Sequence, residues 1–383
     1  MIAVLGAGES GVGAALLAKQ KGYDVFVSDS GSVKDHFQNE LMLAGLEWQQ
    51  GEHNEEKILS ANLLIKSPGI PETKLVAKAR AKGIEVLSEI EFASRFSEGR
   101  IIAITGTNGK TTTASLTYYI LKSAGFNVAL AGNIGESFAR SLAHSDRDYW
   151  VLELSSFQLD DIHQFKPHIA MVLNLSPDHL ERHGNIDKYA KAKLKLIYDQ
   201  DKNKQSYIEK NNQIINKNIL IKKIKSNLNK LNYNNSSFFI SKIKNTYLLD
   251  QNNLNNIHFI YFICKKFKFV EKKIFLTLNK FKGLKFRKQL IYNKKNLQII
   301  NDSKSTSFSS TNGLLKTYKN IHWIVGGMYK KGDKFKINKS YYKNITAYII
   351  GNNKKYFEKQ FKNKIKYKCF TNLKNAILKL KKQ

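Results

Sequence analysis

A chain of 383 residues, 42% of them hydrophobic, is long enough for two or three domains with a large buried core. It holds no apolar run of 18 residues, and its two cysteines, Cys264 and Cys369, exclude a disulfide framework, so we expect a cytoplasmic protein with no membrane span. The net charge of +32 is confined to one end: residues 1–200 carry 21 Lys and Arg against 24 Asp and Glu, whereas residues 201–383 carry 42 against 7.

In chain order, Met1-Ile-Ala-Val-Leu5 is too short for a signal-peptide core and leads straight into a glycine turn. We read Ile2–Leu5 as a strand, then Gly6-Ala-Gly8-Glu-Ser-Gly11, a helix over Gly13–Lys21 and a strand over Asp24–Val27 that ends at Asp29. That order is the dinucleotide-fold signature, yet the same turn holds the diphosphate of any nucleotide conjugate at a helix N-terminus. A strand at Leu63–Ser67, helical Val76–Lys82, a strand at Glu85–Leu87 and a helix at Glu89–Phe96 follow.

The stretch Ile101–Thr113 reads as a buried strand, a turn with Gly106 and Gly109, then Lys110 and three threonines opening a helix over Ala114–Lys122. Glycines let backbone N–H groups close on phosphate oxygens, Lys110 supplies a point charge, and the Thr111 hydroxyl suits Mg²⁺. Ile104 stands where the longer phosphate-loop pattern has glycine, so this is the shorter G-x-x-G-K-T-T form. Packing alone gives no reason for a lysine between such a turn and three hydroxyls, and we expect an ATP site. Strands at Asn127–Ala131, Tyr149–Leu154 and Ile169–Leu173 extend the same sheet. The second of them carries Glu153 near its carboxyl end, where open α/β sheets keep their ligands. The third leads into Asn174–Gly184, with His179, and a helix over Ile186–Tyr198 contains Lys193. A lone histidine is more often structural than a ligand, but with Glu153 and the phosphate loop in the same sheet we read His179 as functional; Lys193 has Lys188, Lys191 and Lys195 as neighbours, and a solvated helix lysine stays open for it on residues alone.

After residue 200 Lys, Asn, Ile and Tyr crowd together, and Arg287 is the sole arginine. Base readers lean on Arg forks, so dispersed lysines read as a compositional drift onto solvated faces and we expect no specific nucleic-acid partner. Two such different halves also allow a joined or chimeric sequence.

Gly106–Thr113, Gly132–Gly135, Glu153–Leu159, Asn174–Gly184 and Tyr189–Lys193 together resemble the Mur ligases. The Glu-Leu-Ser-Ser-Phe-Gln-Leu string and the Gly6–Gly11 opening look like the D-glutamate-adding members of that family. More thinly, Leu249–Asn256 is similar to a His-Asn-x-x-Asn segment near the adenine, with Asn252 in the His position. Gly283–Arg287 is similar to a Gly-Leu-x-His-Arg hinge, with Phe286 replacing the His. Asn301–Ser307 resembles an Asn-Asp-Ser-Lys-Ala-Thr-Asn signature, and Val325–Asp333 a Gly-Gly-x-x-Lys turn. Residues 200–245 match nothing in the family pattern.

The resemblance implies an α/β fold of three domains. These are a Rossmann-like UDP-substrate domain (1–96), a central P-loop ATPase with a mostly parallel sheet (97–282), and a C-terminal Rossmann-like amino-acid-binding domain (283–383). The last is expected to be incomplete, because the family's Ser-Pro-x-x-Ala-Ser stretch and an acceptor-site Phe do not occur before Gln383. The implied reaction is ATP-dependent addition of D-glutamate to UDP-N-acetylmuramoyl-L-alanine through an acyl phosphate, by a monomer. ATP would lie on Gly106, Thr107, Asn108, Gly109, Lys110, Thr111 and Thr112, with Asn256, Arg287 and Asp302. The UDP substrate would meet Ser10, Gly11, Asp29, Ser30, Gly69 and Asn133, and D-glutamate would meet Lys304, Thr306 and Lys330. Two Mg²⁺ ions are implied, one between Thr111 and Glu153, the other on His179 and a carbamylated Lys193, since a carbamate ligates a cation and an ammonium does not.

Other readings compete with this one. Another Mur ligase or a folylpolyglutamate synthase shares the ATP loop, a dehydrogenase accounts for Gly6–Gly11 alone, and an inactive nucleotide-binding remnant fits the missing end.

Overall fold

The computed structural model describes all residues except 199, 221–223, 233–235, 250, 295–296, 330–331 and 382–383. The chain divides into two compact units, Met1–Phe281 and Lys282–Gln383.

The first unit holds two parallel sheets. Strands β1 (Ile2–Leu5), β2 (Val25–Asp29), β3 (Glu47–Gln50), β4 (Leu63–Lys66) and β5 (Glu85–Ser88) lie in the order β3-β2-β1-β4-β5. Strands β6 (Arg100–Thr105), β7 (Val128–Gly132), β8 (Tyr149–Glu153), β9 (Ile169–Val172), β10 (Gln205–Glu209) and β11 (Asn227–Leu231) lie in the order β11-β10-β9-β6-β8-β7. Sheets covered on both faces demand near-continuous apolar strands, and Ile2-Ala-Val-Leu5 and Ile169-Ala-Met-Val172 are buried at every position. One apolar core joins the two sheets, combining Val12 and Leu17 with Phe138, Trp150 and Leu152.

Both sheets reverse their winding at a glycine turn. The chain leaves β1 toward β2 on one side while β4 pairs on the other, and β6 is likewise flanked by β8 and β9. Such switch points open a crevice at the carboxyl ends of the strands. Both helices that follow begin earlier than the sequence suggests. The first spans Glu9–Gln20 rather than starting at Gly13, because Val12 N–H closes a first turn on the Gly8 carbonyl at 2.9 Å. Gly13 thereby falls inside the helix, where a Cβ would stand 2.2 Å from Ser137 Oγ of the neighbouring helix Phe138–His144's cap. The helix of the phosphate loop spans Lys110–Ser123 rather than starting at Ala114, with Thr113 N–H donating to Gly109 O at 2.9 Å.

Residues 200–245, opaque in the sequence, supply β10 and β11 to the second sheet, and helix Gln251–Lys266 covers one face of it through Phe259 and Ile263. The second unit contains an antiparallel hairpin, β12 (Gln289–Lys294) with β13 (Leu297–Asn301). It also has a parallel sheet ordered β14 (Ile321–Gly326), β15 (Ile345–Ile350), β16 (Lys366–Cys369). Phe308, Phe335, Phe357 and Phe361 pack its core.

Candidate functional site

At the carboxyl end of β6 the chain turns through Gly106 and Gly109. Gly109 caps the helix with φ +85°, and a Cβ there would stand 2.3 Å from Asn256 Oδ1, so only glycine serves. Asn256 is buried and comes from helix Gln251–Lys266. Asn174, beyond β9, clamps the loop from the other side. Its Oδ1 accepts from Asn108 N–H at 2.9 Å, its Nδ2 donates to Asn108 O at 3.0 Å, and its carbonyl accepts from Thr107 N–H at 2.9 Å. Thr107 Oγ1 takes Ser176 N–H at 3.0 Å and lies 3.0 Å from Tyr189 OH. Lys110 Nζ donates to the carbonyls of Gly106 and Thr107, each at 2.9 Å, so its ammonium lies back along the loop. Thr111 and Thr112 open the helix, Thr112 being buried.

Glu153 closes β8 at the same sheet edge and is 2% exposed. Its Oε1 accepts from Asn133 Nδ2 at 2.9 Å, and Asn133 N–H donates to the Glu153 carbonyl at 2.8 Å. Glu153 Oε2 is buried without a hydrogen-bond partner. A buried bare carboxylate oxygen is costly unless a cation or donor meets it.

Lys193 is 2% exposed, in contrast to Lys188, Lys191 and Lys195, which face solvent. Its Nζ donates to Thr105 Oγ1 at 3.3 Å and lies 5.0 Å from the Tyr189 ring centroid. Burial holds its ammonium well below the usual lysine range, Lys110 pushes the same way, and Asp178, Glu153 and Asp160 oppose. His179 sits at the head of helix Leu180–His183 with φ +51° and a half-exposed side chain, edge-on to Phe157 at 5.0 Å. Among the described residues no three His, Cys, Asp or Glu side chains form a cation cluster by themselves. The unpartnered Glu153 Oε2 is an oxygen donor of the kind a hard cation such as Mg²⁺ takes.

On the first sheet, Asp29 fastens the glycine turn: its Oδ2 accepts from Ala7 N–H at 2.7 Å and its Oδ1 from Gly31 N–H at 2.8 Å. Ser10 and Gly11 lie in the first turn of the helix, and Ser30 and Gly69 are exposed beside the same edge. Sequence reasoning missed the parts that lock these loops together. Glu9 Oε1 accepts from Ser137 N–H at 2.9 Å and Arg140 Nε at 2.8 Å, and Arg182 reaches the Gly69 and Ile70 carbonyls. Asn174, Tyr189 and Arg182 all fall inside strings that the sequence singles out, which was the available signal.

In the second unit Asp302 is engaged by Lys288 N–H on Oδ1 at 2.9 Å and by Ser305 Oγ on Oδ2 at 2.6 Å. Lys304 N–H donates to Phe286 O at 3.0 Å, which joins the Gly283–Arg287 turn to the Asp302–Thr306 segment. Lys304 is exposed, Thr306 is exposed next to the helix Phe308–Thr317, and Arg287 is half-buried. Asp333 Oδ2 accepts from Phe308 N–H at 2.8 Å. Lys330 and the side chain of Asn252 lie outside the described residues.

Two family models match: the Mur ligase middle domain over residues 104–275 and the MurD-like N-terminal domain of Mur ligases over residues 1–88. The UDP-N-acetylmuramoylalanine–D-glutamate ligase of Christiangramia forsetii is 39% identical over 351 residues, 86% of this chain and 79% of that one. The enzyme of the same name from Cytophaga hutchinsonii is 54% identical over 200 residues, 51% of this chain and 44% of that one. Among solved structures, MurF from Acinetobacter baumannii superimposes with a TM-score of 0.61 at 15% identity, covering 100% of this chain and 86% of that one.

Proposed function

We infer the reaction from one premise: the chain belongs to the Mur ligase family and aligns with its D-glutamate ligases. It is an ATP-dependent amide ligase of peptidoglycan precursor synthesis, joining D-glutamate to UDP-N-acetylmuramoyl-L-alanine with release of ADP and phosphate. The observation that carries this reading is the meeting of the phosphate loop, Glu153 and buried Lys193 at one sheet edge.

We assign residues 1–96 to the UDP substrate, 97–282 to ATP and 283–383 to the amino acid. The turn Gly6–Gly11, with Ser10 and Gly11 at the helix start, receives the diphosphate, while Asp29, Ser30 and Gly69 flank the uridine and Asn133 the alanyl end. Gly106–Thr112 wrap the ATP phosphates, Asn256 adjoins the adenine side, and Arg287 and Asp302 serve phosphate and ribose. On binding, Lys110 leaves its loop carbonyls for the γ-phosphoryl group and neutralises charge as the alanyl carboxylate attacks phosphorus. The acyl phosphate then loses phosphate to the amine of D-glutamate, whose carboxylates meet Lys304, Thr306 and Lys330.

Mg²⁺ would be held by Thr111 and Glu153, with a second ion on His179 and Lys193, and its chemistry is neutralisation of phosphoryl charge. Glu153 Oε2 is the bare acceptor such an ion satisfies. Lys193, buried and biased toward the neutral amine, adds to CO₂ with loss of one proton, which converts it into an anionic carbamate suited to a cation.

The test is an assay of phosphate release and ligation with UDP-N-acetylmuramoyl-L-alanine and a panel of amino acids. D-Glutamate should be used in preference to L-alanine, a diamino acid or a D-alanyl dipeptide. Lys110→Ala should release phosphate at less than about one tenth the wild-type rate. Retained turnover in that variant, or preference for another amino acid, refutes the assignment.

A further inference from the structure

Three cationic contacts converge on the turn that follows β4. Lys66 Nζ donates to Ile70 O at 2.8 Å, Arg182 Nη2 donates to the same carbonyl at 2.7 Å, and Arg182 Nη1 reaches Gly69 O at 3.3 Å. Lys66 belongs to the first sheet and is itself buried against Asp161 Oδ2 at 3.0 Å. Arg182 arrives from the short helix Leu180–His183 after β9, three residues beyond His179, and its N–H donates to His179 O at 3.1 Å. The guanidinium lies 5.2 Å from the ring centroid of Phe157, which also contacts His179 edge-on.

Both ends of this strap are loops that carry site residues. At one end, Ser67 Oγ donates to Gly6 O at 3.2 Å, so the Ser67–Ile70 turn is bonded directly to the β1 glycine turn. A hydrogen bond on the Gly69 carbonyl also fixes the plane of the next peptide. At the other end, the strap steadies His179, whose positive φ is uncommon for a side chain with a Cβ. A guanidinium suits this position because its planar fork addresses two carbonyls while its face stacks on the ring; an ammonium cannot do both.

We propose that Arg182 is a positioning residue that couples the UDP-substrate turn to the His179 loop, so that each nucleotide site sets the geometry of the other. The proposal rests on the functional reading given above for the two sites.

The experiment compares wild type, Arg182→Met and Arg182→Lys. Calorimetry measures the affinity for UDP-N-acetylmuramoyl-L-alanine with and without Mg²⁺ and a non-hydrolysable ATP analogue. Amide hydrogen exchange is followed at residues 67–70 under the same conditions. In the wild type the metal–nucleotide pair should tighten the UDP substrate about fivefold or more and slow exchange at Gly69 and Ile70. In Arg182→Met both effects should vanish while the analogue alone still binds, and Arg182→Lys should fall between. Equal coupling and equal exchange in wild type and Arg182→Met, with only a lowered Tm, overturn the proposal. A wild-type chain that binds no UDP-N-acetylmuramoyl-L-alanine refutes the functional reading instead, and the exchange experiment alone then decides the strap.

Discussion

Lys193 shows how one side chain's surroundings set its chemistry. On helix Ile186–Tyr198 it falls in line with Ala190, Leu194 and Ile197, all buried, at the three- and four-residue spacing of an inward face. A lysine in the middle of such a stripe has to lose its charge or gain partners. We expect Lys193→Ala to lower phosphate release by about a hundredfold and a short carboxylic acid to restore part of it by refilling the void. Wild-type activity should fall when dissolved CO₂ is stripped, and mass spectrometry should find the added CO₂. An unmodified, CO₂-indifferent enzyme refutes the carbamate. The stripe was present in the sequence, but the neighbouring lysines at 188, 191 and 195 obscured it. Asp29 shows the opposite outcome: its spacing from Gly11 was plain, whereas its use in fastening Ala7 and Gly31 depends on the folded turn.

At the scale of elements, the phosphate loop was legible because its signal is local: a strand, two glycines, a lysine and a helix in succession. Its supports were legible only as members of family-like strings, because how Asn256 and Tyr189 brace the loop depends on tertiary packing. The glycine at 109 exposes that dependence. Gly109→Ala should cost about 1–2 kcal/mol for the left-handed backbone alone and also displace Asn256, so ATP affinity should drop while UDP-substrate affinity holds. Equal ATP affinity, measured by calorimetry, would show that the loop relaxes around the methyl group. The short helix Glu89–Ser94 supplies a second test. Glu89 is buried, accepts Ala139 N–H at 2.5 Å at the start of helix Phe138–His144, and has Oε2 without a partner. Burial raises its carboxyl to about 8 from 4.5. A raised carboxyl favours the folded state most at low pH, because the unfolded chain ionises first as pH rises. Stability should therefore fall between about 4.5 and about 8, by a few kcal/mol in all. Glu89→Gln, which keeps an acceptor for Ala139, should flatten the fall in Tm across that window. An unchanged slope would assign the pH dependence to other groups.

Across the whole molecule the charge is partitioned, with the excess of lysine lying after residue 200. Lysines dispersed over solvated faces attract polyanions without reading them. Binding to DNA or RNA should be weak, indifferent to sequence and steeply suppressed by salt; filter binding between low and physiological ionic strength checks this, and sequence-selective retention at the higher value would contradict it. The same lysine and asparagine enrichment hides β11, Asn227-Leu-Asn-Lys-Leu231, while β10, Gln205-Ser-Tyr-Ile-Glu209, is hidden by its mixed polar and apolar residues. Neither strand has the alternation or apolar run that marks a buried strand, and only the pairing of β10 with β9 and of β11 with β10 reveals them.

The clamps on the phosphate loop also bear on how the protein comes off the ribosome. Thr107 waits for Ser176, 69 residues later, and for Tyr189, 82 residues later, and Gly109 waits longer still for Asn256. Contacts so distant along the chain form late, after loop-closure entropy has been overcome. The first sheet, complete by Ser88, can form while the nucleotide loop still lacks its walls. Nascent chains halted before Asn256 should therefore resist protease across the first sheet yet fail to retain ADP, and chains extended past Lys266 should begin to retain it abruptly, with a further gain once Arg287 and Asp302 are made. Gradual acquisition of ADP binding from residue 190 onward would show instead that the loop closes without its last support.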